Sequence, residues 1–172
     1  RLLAERLTRT ILKQILQEGV FHADPHPGNL MVDEKGNLVL LDFGMVGELS
    51  PPLRASFARL VVGFFRKSSP AILRALDAMG VIPADVDYEA LKKDVDRLKE
   101  KYYDIPLQEV NLGEAVRDLL EVSYRHQILI PKDLTMVGRA LVILEGVVAE
   151  LEPGFRVADA AESFGQTLIR QR

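Results

Sequence analysis

Two short stretches of the chain place metal-binding and proton-accepting side chains at a fixed spacing. The first is His22-Ala23-Asp24-Pro25-His26-Pro27-Gly28-Asn29, and thirteen positions after its last residue comes Asp42-Phe43-Gly44. Carboxylate and amide oxygens are hard ligands that suit Mg²⁺, which keeps several waters in its octahedral shell. A further carboxylate can orient a hydroxyl or a water molecule and take its proton. Together these residue types fit metal-assisted phosphoryl transfer, in which the protein mainly positions the reactants and neutralises charge.

The order and spacing of these residues match the catalytic template of protein kinases, in which His-x-Asp is followed by Asn five positions after the Asp and later by Asp-Phe-Gly. The template predicts two catalytic residues: Asp24, which orients the nucleophile, and His22, which organises the loop. It predicts that Asn29 and Asp42 bind Mg²⁺. His26 could contact phosphate or metal, or simply brace a loop flanked by prolines. The residues predicted to bind the ATP cofactor are Asn29, Asp42, His26 and Gly44.

Each motif has another interpretation when it is taken alone. Asp-Phe-Gly is a common turn tripeptide, and a His-x-Asp-x-His string could belong to the ligand set of a metallohydrolase. The sequence between the motifs favours the kinase-like interpretation. Apolar residues 30–32 and 38–41 flank a polar turn at 33–37, which predicts a β-hairpin between the catalytic loop and the metal-binding loop.

The stretches 19–29 and 41–47 closely resemble the UbiB/ADCK atypical kinases, protein-kinase-like proteins linked to ubiquinone (coenzyme Q) biosynthesis. The resemblance is strongest over residues 1–67 and continues to about residue 155. It implies a kinase-like carboxy-terminal lobe that binds ATP and Mg²⁺ and acts as an ATPase or as a kinase of a small molecule or prenyl lipid. It also implies a role in ubiquinone or other prenyl-lipid metabolism, not the direct phosphorylation of proteins.

Two further functions are compatible with the motifs. A small-molecule phosphotransferase of the aminoglycoside or choline kinase type uses a similar His-x-Asp, Asn and Asp series, and a non-catalytic nucleotide-sensing scaffold would keep the ligands without turnover. The Pro25–Gly28 continuation and the intact Asp-Phe-Gly favour the UbiB-like function over the phosphotransferase. Residues 43–49, between Asp42 and the next helix start, contain no Ser, Thr or Tyr and no Ala-Pro-Glu. This segment therefore leaves no room for a peptide-docking platform.

The kinase template also needs a nucleotide-covering loop, a strand lysine and a helix glutamate. Before His22 the chain offers a single element. Leu3, Leu7, Ile11 and Ile15 recur every four positions, which predicts an amphipathic helix over residues 2–18. We therefore expect residues 1–172 to form one kinase-like C-lobe without its N-lobe. The chain would need its own N-lobe as a partner and would not turn over ATP alone.

Composition sets limits on the other classes of protein. The length of 172 residues suits one domain. A net charge of −3 without a basic stripe argues against nucleic acid as a partner, and the absence of cysteine excludes disulfides and cysteine-type zinc sites. With no signal peptide and no apolar run of about 18 residues, we expect a cytoplasmic protein. The resemblance implies membrane association of the full-length protein at the cytoplasmic face.

Helix signals continue from residue 50 to the end of the chain. Ser50-Pro51 and Ser69-Pro70 each combine an N-cap with a first-turn proline. Apolar stripes at intervals of three and four predict a series of helices as far as residue 151, and a final helix over 157–169. The predicted fold is therefore mainly α: a helical bundle over 50–172 with one small β-hairpin over 30–41 that carries the catalytic loop 22–29 and the metal loop 42–44.

Overall fold

The computed structural model describes residues 1–106 and 109–170, and helices dominate them. Residues 107–108 and 171–172 of the predicted lobe lie outside the described part. The helices are α1 (Leu2–Lys13), α2 (Pro51–Phe65), α3 (Ser69–Ala78), α4 (Tyr88–Tyr103), α5 (Leu112–Arg125), α6 (Lys132–Leu151) and α7 (Val157–Arg170). The strands are β1 (Val20–His22), β2 (Leu30–Val32), β3 (Leu38–Leu40) and β4 (Val46–Glu48). The prediction of a mainly α, kinase-like lobe is confirmed.

Helix α1 leads into the catalytic loop through a π-helical turn (Gln14–Glu18). Its apolar stripe is buried as the spacing predicts, with Leu7, Ile11 and Ile15 at most 1% exposed. Gly19 ends the turn at φ +76°, a left-handed conformation that glycine adopts without steric cost. The helix predicted over 2–18 therefore has the right extent, but its last turn is wider than an α-helix and delivers the chain into β1.

Strands β2 and β3 form the hairpin that the sequence predicts between the two loops. They are antiparallel, with Leu30 opposite Leu40. In the turn, the carboxylate Oδ1 of Asp33 accepts hydrogen bonds from the backbone N–H groups of Lys35 at 2.9 Å and Asn37 at 2.8 Å. Hydrogen bonds from Asn37 are the main reason that the pKa of Asp33 lies below its usual value. The Asp33 carboxylate thus closes the turn together with the backbone bond from the N–H of Asp33 to the carbonyl of Asn37 at 2.9 Å.

Strands β1 and β4 form a second antiparallel pair, which the sequence analysis did not anticipate. Phe21 lies opposite Gly47 in this pair. A Cβ atom on Gly47 would stand 2.0 Å from Cζ of Phe21, so the buried ring occupies the space that any other residue would need. Beyond the pair, the N–H of Ala23 donates to the carbonyl of Met45 at 3.0 Å. The catalytic loop is therefore bonded to the segment that follows Asp42.

Serine side chains cap the first two helices that follow the site. Ser50 caps α2 as predicted, and its hydroxyl accepts from the N–H of Leu53 at 3.4 Å. The predicted N-cap of α3, Ser69, is wrong by one residue, because the hydroxyl of Ser68 accepts from the N–H of Ala71 at 3.2 Å. Ser69 is the first helical residue instead. Its hydroxyl is buried and has no hydrogen-bond partner in the described part of the chain.

The helices bury two hydrophobic clusters. The main core joins α1, α5, α6 and α7 and includes Phe21 of β1. The second core lies among α2, α3, α4 and α5 and contains Leu76 and Leu91. Because Phe21 and α1 pack into the main core, the elements on the amino-terminal side of the catalytic loop are held by helices from the far end of the chain. Within residues 1–106 and 109–170, none of the helices is both long enough and apolar enough to cross a bilayer.

One carboxylate lies inside the main core. Glu145 of α6 is 6% exposed, and its Oε1 accepts a hydrogen bond from the N–H of Leu112 at 3.1 Å. That N–H belongs to the first turn of α5, where backbone donors lack partners within the helix. Burial raises the pKa of Glu145, while the bond to Leu112 and the positive charge of Arg156 act in the opposite direction. The carboxyl group therefore ties α6 to the start of α5.

Candidate active site

His22 holds the catalytic loop and the metal loop together from a buried position. Its ring Nδ1 accepts a hydrogen bond from the N–H of Asp24 at 3.0 Å, and its Nε2 lies 2.7 Å from the carbonyl oxygen of Leu41. Because Nδ1 is an acceptor, Nε2 carries the proton and donates to Leu41, which assigns the neutral tautomer. Both ring nitrogens are engaged with backbone. This arrangement fits the organising role predicted for His22.

Two further contacts fix the position of His22. Its backbone N–H donates to the side-chain Oε1 of Gln14, the first residue of the π-helical turn, at 3.0 Å. The ring of Phe43 lies against the imidazole, with the ring centroids 4.9 Å apart and the planes inclined by 58°. The sequence analysis did not identify Gln14, because a single polar residue at the end of an amphipathic helix carries no motif.

Asn29 is oriented by its amide nitrogen and presents its amide oxygen. Its side chain is buried, and Nδ2 donates to the carbonyl of Asp24 at 3.0 Å. Its backbone N–H donates to the carbonyl of His26 at 2.9 Å, which closes the loop into a single turn. The amide oxygen Oδ1 accepts no hydrogen bond within the described residues. An oxygen held in place in this way, with its lone pairs available, suits a hard metal ion.

Asp42 lies beside Asn29 because of the hairpin register. The N–H of Leu41 donates to the carbonyl of Asn29 at 2.8 Å, so Asp42 is the next residue beyond this bond. Its φ is +50°, a region that residues other than glycine rarely adopt. Its Oδ1 accepts from the N–H of Gly44 at 3.2 Å, and a Cβ on Gly44 would lie 3.1 Å from that oxygen. Gly44 thus gives the Asp42 carboxylate its room.

The carboxylate of Asp24 lies between two nitrogen-bearing side chains. Nε2 of His26 is 3.7 Å from Oδ2, and Nη2 of Arg139 is 3.8 Å from Oδ1. Nδ1 of His26 accepts from the N–H of Gly28 at 3.0 Å, which leaves Nε2 as the nitrogen that faces Asp24. A Cβ on Gly28 would lie 2.7 Å from Cε1 of that ring, so a larger residue here would require the His26 ring to move. Arg139 belongs to α6, and no motif around it pointed to the site.

The structure gathers all of the predicted site residues around the two loops. They are His22, Asp24, His26, Asn29, Asp42 and Gly44. In the part of the chain that the structure describes, no three His, Asp or Glu side chains converge into a complete metal site. The residues nevertheless fit Mg²⁺, because Asn29 offers an amide oxygen and Asp42 a carboxylate on segments that the Leu41–Asn29 backbone hydrogen bond joins. Nucleotide phosphates and water can supply the rest of the shell.

A mainly α lobe in which a hairpin joins a His-x-Asp loop with its asparagine to an Asp-Phe-Gly loop is a kinase-like lobe. Comparison with known families agrees. Residues 1–76 match the ABC1 atypical kinase-like domain, and residues 95–156 match the UbiB helical domain. The chain belongs to the ABC1/UbiB family of atypical kinase-like proteins, and the resemblance noted in the sequence is confirmed.

Individual relatives match most of the chain. The Synechocystis sp. protein sll1770 is 36% identical over 97% of the chain. Two Arabidopsis thaliana proteins designated chloroplastic are each 30% identical: the aarF domain-containing protein kinase At1g71810 over 84% of the chain, and ACTIVITY OF BC1 COMPLEX KINASE 8 over 94%. The chain spans 29%, 21% and 25% of these three relatives, respectively. It therefore corresponds to less than a third of each relative.

Proposed function

We propose that residues 1–172 are the C-lobe of an atypical kinase or ATPase that uses Mg²⁺ and ATP. The observation that carries the proposal is the pairing of Asn29 with Asp42. Asn29 is held through Nδ2 with Oδ1 available. Asp42, the residue after the Leu41 that bonds to Asn29, has an unusual left-handed conformation. Bound Mg²⁺ would neutralise charge on the transferred phosphoryl group. The two side chains would hold the ion. Asn29 belongs to the catalytic loop, and Leu41, the residue before Asp42, donates its N–H to the carbonyl of Asn29.

Asp24 is the group that would act on the acceptor. Its backbone is fixed on both sides, because its N–H donates to His22 and its carbonyl accepts from Asn29. Its carboxylate oxygens accept no hydrogen bond within the described residues, so their lone pairs are available to a hydroxyl or a water molecule. A carboxylate in hydrogen-bonding reach can orient that nucleophile and receive its proton. His22 would act through the loop and not on the reactants.

The short segment after Asp42 supports a small acceptor. Only residues 43–45 separate Asp42 from β4, and β4 is paired with β1. Helix α2 then begins at Pro51, so the described segment between Asp42 and α2 is too short to form an extended platform on which a peptide could lie. A small molecule or a prenyl lipid suits such a site, and family membership supports a role in ubiquinone or prenyl-lipid metabolism. The sequence has a net charge of −3 and no basic stripe, so nothing in its charge pattern favours nucleic acid as a partner.

The hairpin supports the existence of a partner surface. Met31 and Val32 point to opposite faces of β2, yet they are 55% and 47% exposed. Phe43 is also 55% exposed although it lies on His22. Exposed apolar side chains on both faces of a hairpin suit a hairpin that packs between two lobes. We propose that the protein's own N-lobe, which would carry the rest of the ATP site, packs here.

For the full-length protein we propose a cytoplasmic location with association at the cytoplasmic face of a membrane.

The test is magnesium-dependent ATP turnover by the full-length protein. Asp42→Asn keeps the size of the side chain but removes the charge that binds the metal, and we expect turnover to fall by about 10²-fold or more, the scale on which one preorganised electrostatic group acts. Asp85→Asn, in an exposed loop after α3, is the matched control and should leave turnover unchanged.

The alternatives give different results in this assay. A nucleotide-sensing scaffold would bind Mg²⁺ and ATP but show no turnover even in the wild type. A phosphotransferase of the aminoglycoside or choline kinase type would turn over only when a soluble hydroxylated acceptor is added. Turnover that is unchanged by Asp42→Asn would refute the metal assignment.

A further inference from the structure

We infer that Arg139 of α6 is a positioning residue that sets the orientation of the Asp24 carboxylate. The inference rests on the proposed function, because it concerns the group that would act on the acceptor. Nη2 of Arg139 is 3.8 Å from Oδ1 of Asp24. The two residues are more than a hundred positions apart in the sequence, so the contact exists only because α6 lies beside the catalytic loop in the fold.

The side chain of Asp24 needs an external restraint. The hydrogen bonds that hold this residue involve its backbone N–H and its backbone carbonyl, and neither of them limits rotation of the carboxylate. The groups that face the two carboxylate oxygens are Arg139 and His26. Both side chains are partly exposed, His26 by 46% and Arg139 by 53%, but His26 belongs to the same short loop as Asp24. Arg139 is therefore the restraint that comes from outside the loop.

Helix α6 provides a rigid base for that restraint. Val137 and Ala140, on either side of Arg139, are at most 1% exposed in the main core. Gly138 packs so closely on α5 that a Cβ would lie 2.7 Å from Val116. In the first turn of α6, Oδ1 of Asp133 accepts from the N–H of Glu48 in β4 at 3.4 Å. The helix is thus fixed both to the core and to the strand pair next to the site.

The distance decides what kind of contact this is. A charge-assisted hydrogen bond between guanidinium and carboxylate measures about 2.7–2.9 Å, whereas the separation here is 3.8 Å. At this range the positive charge attracts and orients the carboxylate without occupying its lone pairs. Oδ1 and Oδ2 can still accept a hydrogen bond from a substrate hydroxyl. A direct two-point salt bridge would restrain Asp24 more tightly but would occupy the oxygen atoms needed for the reaction.

The contact also joins the two segments of the chain that match different domains of the family. Asp24 lies in the segment that matches the kinase-like domain, and Arg139 lies in the segment that matches the helical domain. The helical segment therefore contributes directly to the arrangement of the catalytic loop. A displacement of α6 would move Arg139 relative to the Asp24 carboxylate.

A double-mutant cycle in the full-length protein tests the inference. Arg139→Gln should lower kcat for magnesium-dependent ATP turnover by about 10-fold, because small displacements of a reacting group are costly, and should leave KM for ATP within about 2-fold. Arg139→Lys, which keeps a positive charge, should recover part of kcat. In an Asp24→Asn background, Arg139→Gln should have no further effect, since residues that act as a unit are not additive. Arg117→Gln, an exposed arginine of α5, is the control.

A second measurement separates this inference from the proposed function. In protein labelled with ¹³C-aspartate, the carboxyl resonance of Asp24 can be assigned by its loss in Asp24→Asn. It should shift in Arg139→Gln and not in Arg117→Gln, whether or not the protein turns over ATP. Absent turnover in the wild type would refute the proposed function alone. The role of Arg139 would be overturned by a resonance that does not shift in Arg139→Gln. It would also be overturned if Arg139→Gln lowered kcat equally in the wild-type and the Asp24→Asn backgrounds.

Discussion

Gly47 is the position at which one methyl group should do most damage to the site. A Cβ there would lie 2.0 Å from Cζ of Phe21 and 2.5 and 2.6 Å from its two Cε atoms. Carbon atoms in contact prefer a separation of about 3.5–4.0 Å. In Gly47→Ala the ring of Phe21 or strand β4 must therefore move by roughly 1.5 Å. Phe21 is 1% exposed in the main core, so the ring has no free space to enter.

The expected cost follows from this geometry. Overpacking a well-packed core typically costs about 1–3 kcal/mol, and three ring atoms within 2.6 Å place this substitution at the upper end of that range. We expect Gly47→Ala to lower the free energy of unfolding by about 3 kcal/mol, a large share of the roughly 5–15 kcal/mol available to a typical domain. Magnesium-dependent ATP turnover should fall as well, because β1 and β4 hold the catalytic loop against the segment after Asp42.

Urea unfolding followed by circular dichroism measures this loss. Phe21→Leu removes the clashing atoms, so the double variant should be more stable than the sum of the two single changes predicts. Gly146→Ala is the matched control, because a Cβ there meets nothing within 4 Å. In the interior of α6 it should add about 0.5–1 kcal/mol. A Gly47→Ala protein within about 0.5 kcal/mol of wild type would refute the reasoning.

Two further substitutions test the helix connections. Glu145 binds its proton more tightly in the folded state, because burial raises its pKa; stability should therefore fall as pH rises from the unfolded-chain pKa of about 4.3 through the raised folded value. Glu145→Gln keeps an acceptor for the N–H of Leu112. In urea titrations this variant should be more stable than wild type at pH 7 but not below about pH 4. A variant that is less stable than wild type at pH 7 would contradict this. Ser68→Ala should lower the free energy of unfolding by about 1 kcal/mol, because it removes an N-cap. Ser69→Ala should change stability little or increase it, because it removes a buried hydroxyl that has no partner among the described residues. Thermal unfolding of the two variants compares them, and a larger loss in Ser69→Ala would indicate that Ser69 is the cap.

The sequence was most informative where the structure is local. His22, Asp24, Asn29 and Asp42 belong to two loops joined by a tight hairpin, so their spacing along the chain largely determines their spacing in space. Helix stripes were also readable, since burial of one face imposes a period of 3.6 residues. The N-cap of α3 was misplaced by one position, because consecutive serines offer two candidates and only packing selects between them.

The remaining parts of the site depend on contacts between distant elements. Strands β1 and β4 have three residues each, too few to show an alternating pattern, and their pairing depends on the fit of Phe21 over Gly47. Gln14 contacts His22 from the first residue of the π-helical turn, eight positions earlier in the chain. Arg139 reaches Asp24 only through the packing of α6. Such contacts are set by the assembled core and leave no local pattern in the sequence.

The main core has a consequence for how this lobe can be divided. It contains residues of α1, which lies in the segment that matches the kinase-like domain, and of α6, which lies in the segment that matches the helical domain. It also contains residues of α7, which follows that second segment. The boundary between the two matches is therefore not a boundary between folding units. A chimera that takes residues 95–156 from a relative would place foreign side chains against Leu7 and Ile11 of α1. We expect the two segments to be exchangeable between relatives only as a pair.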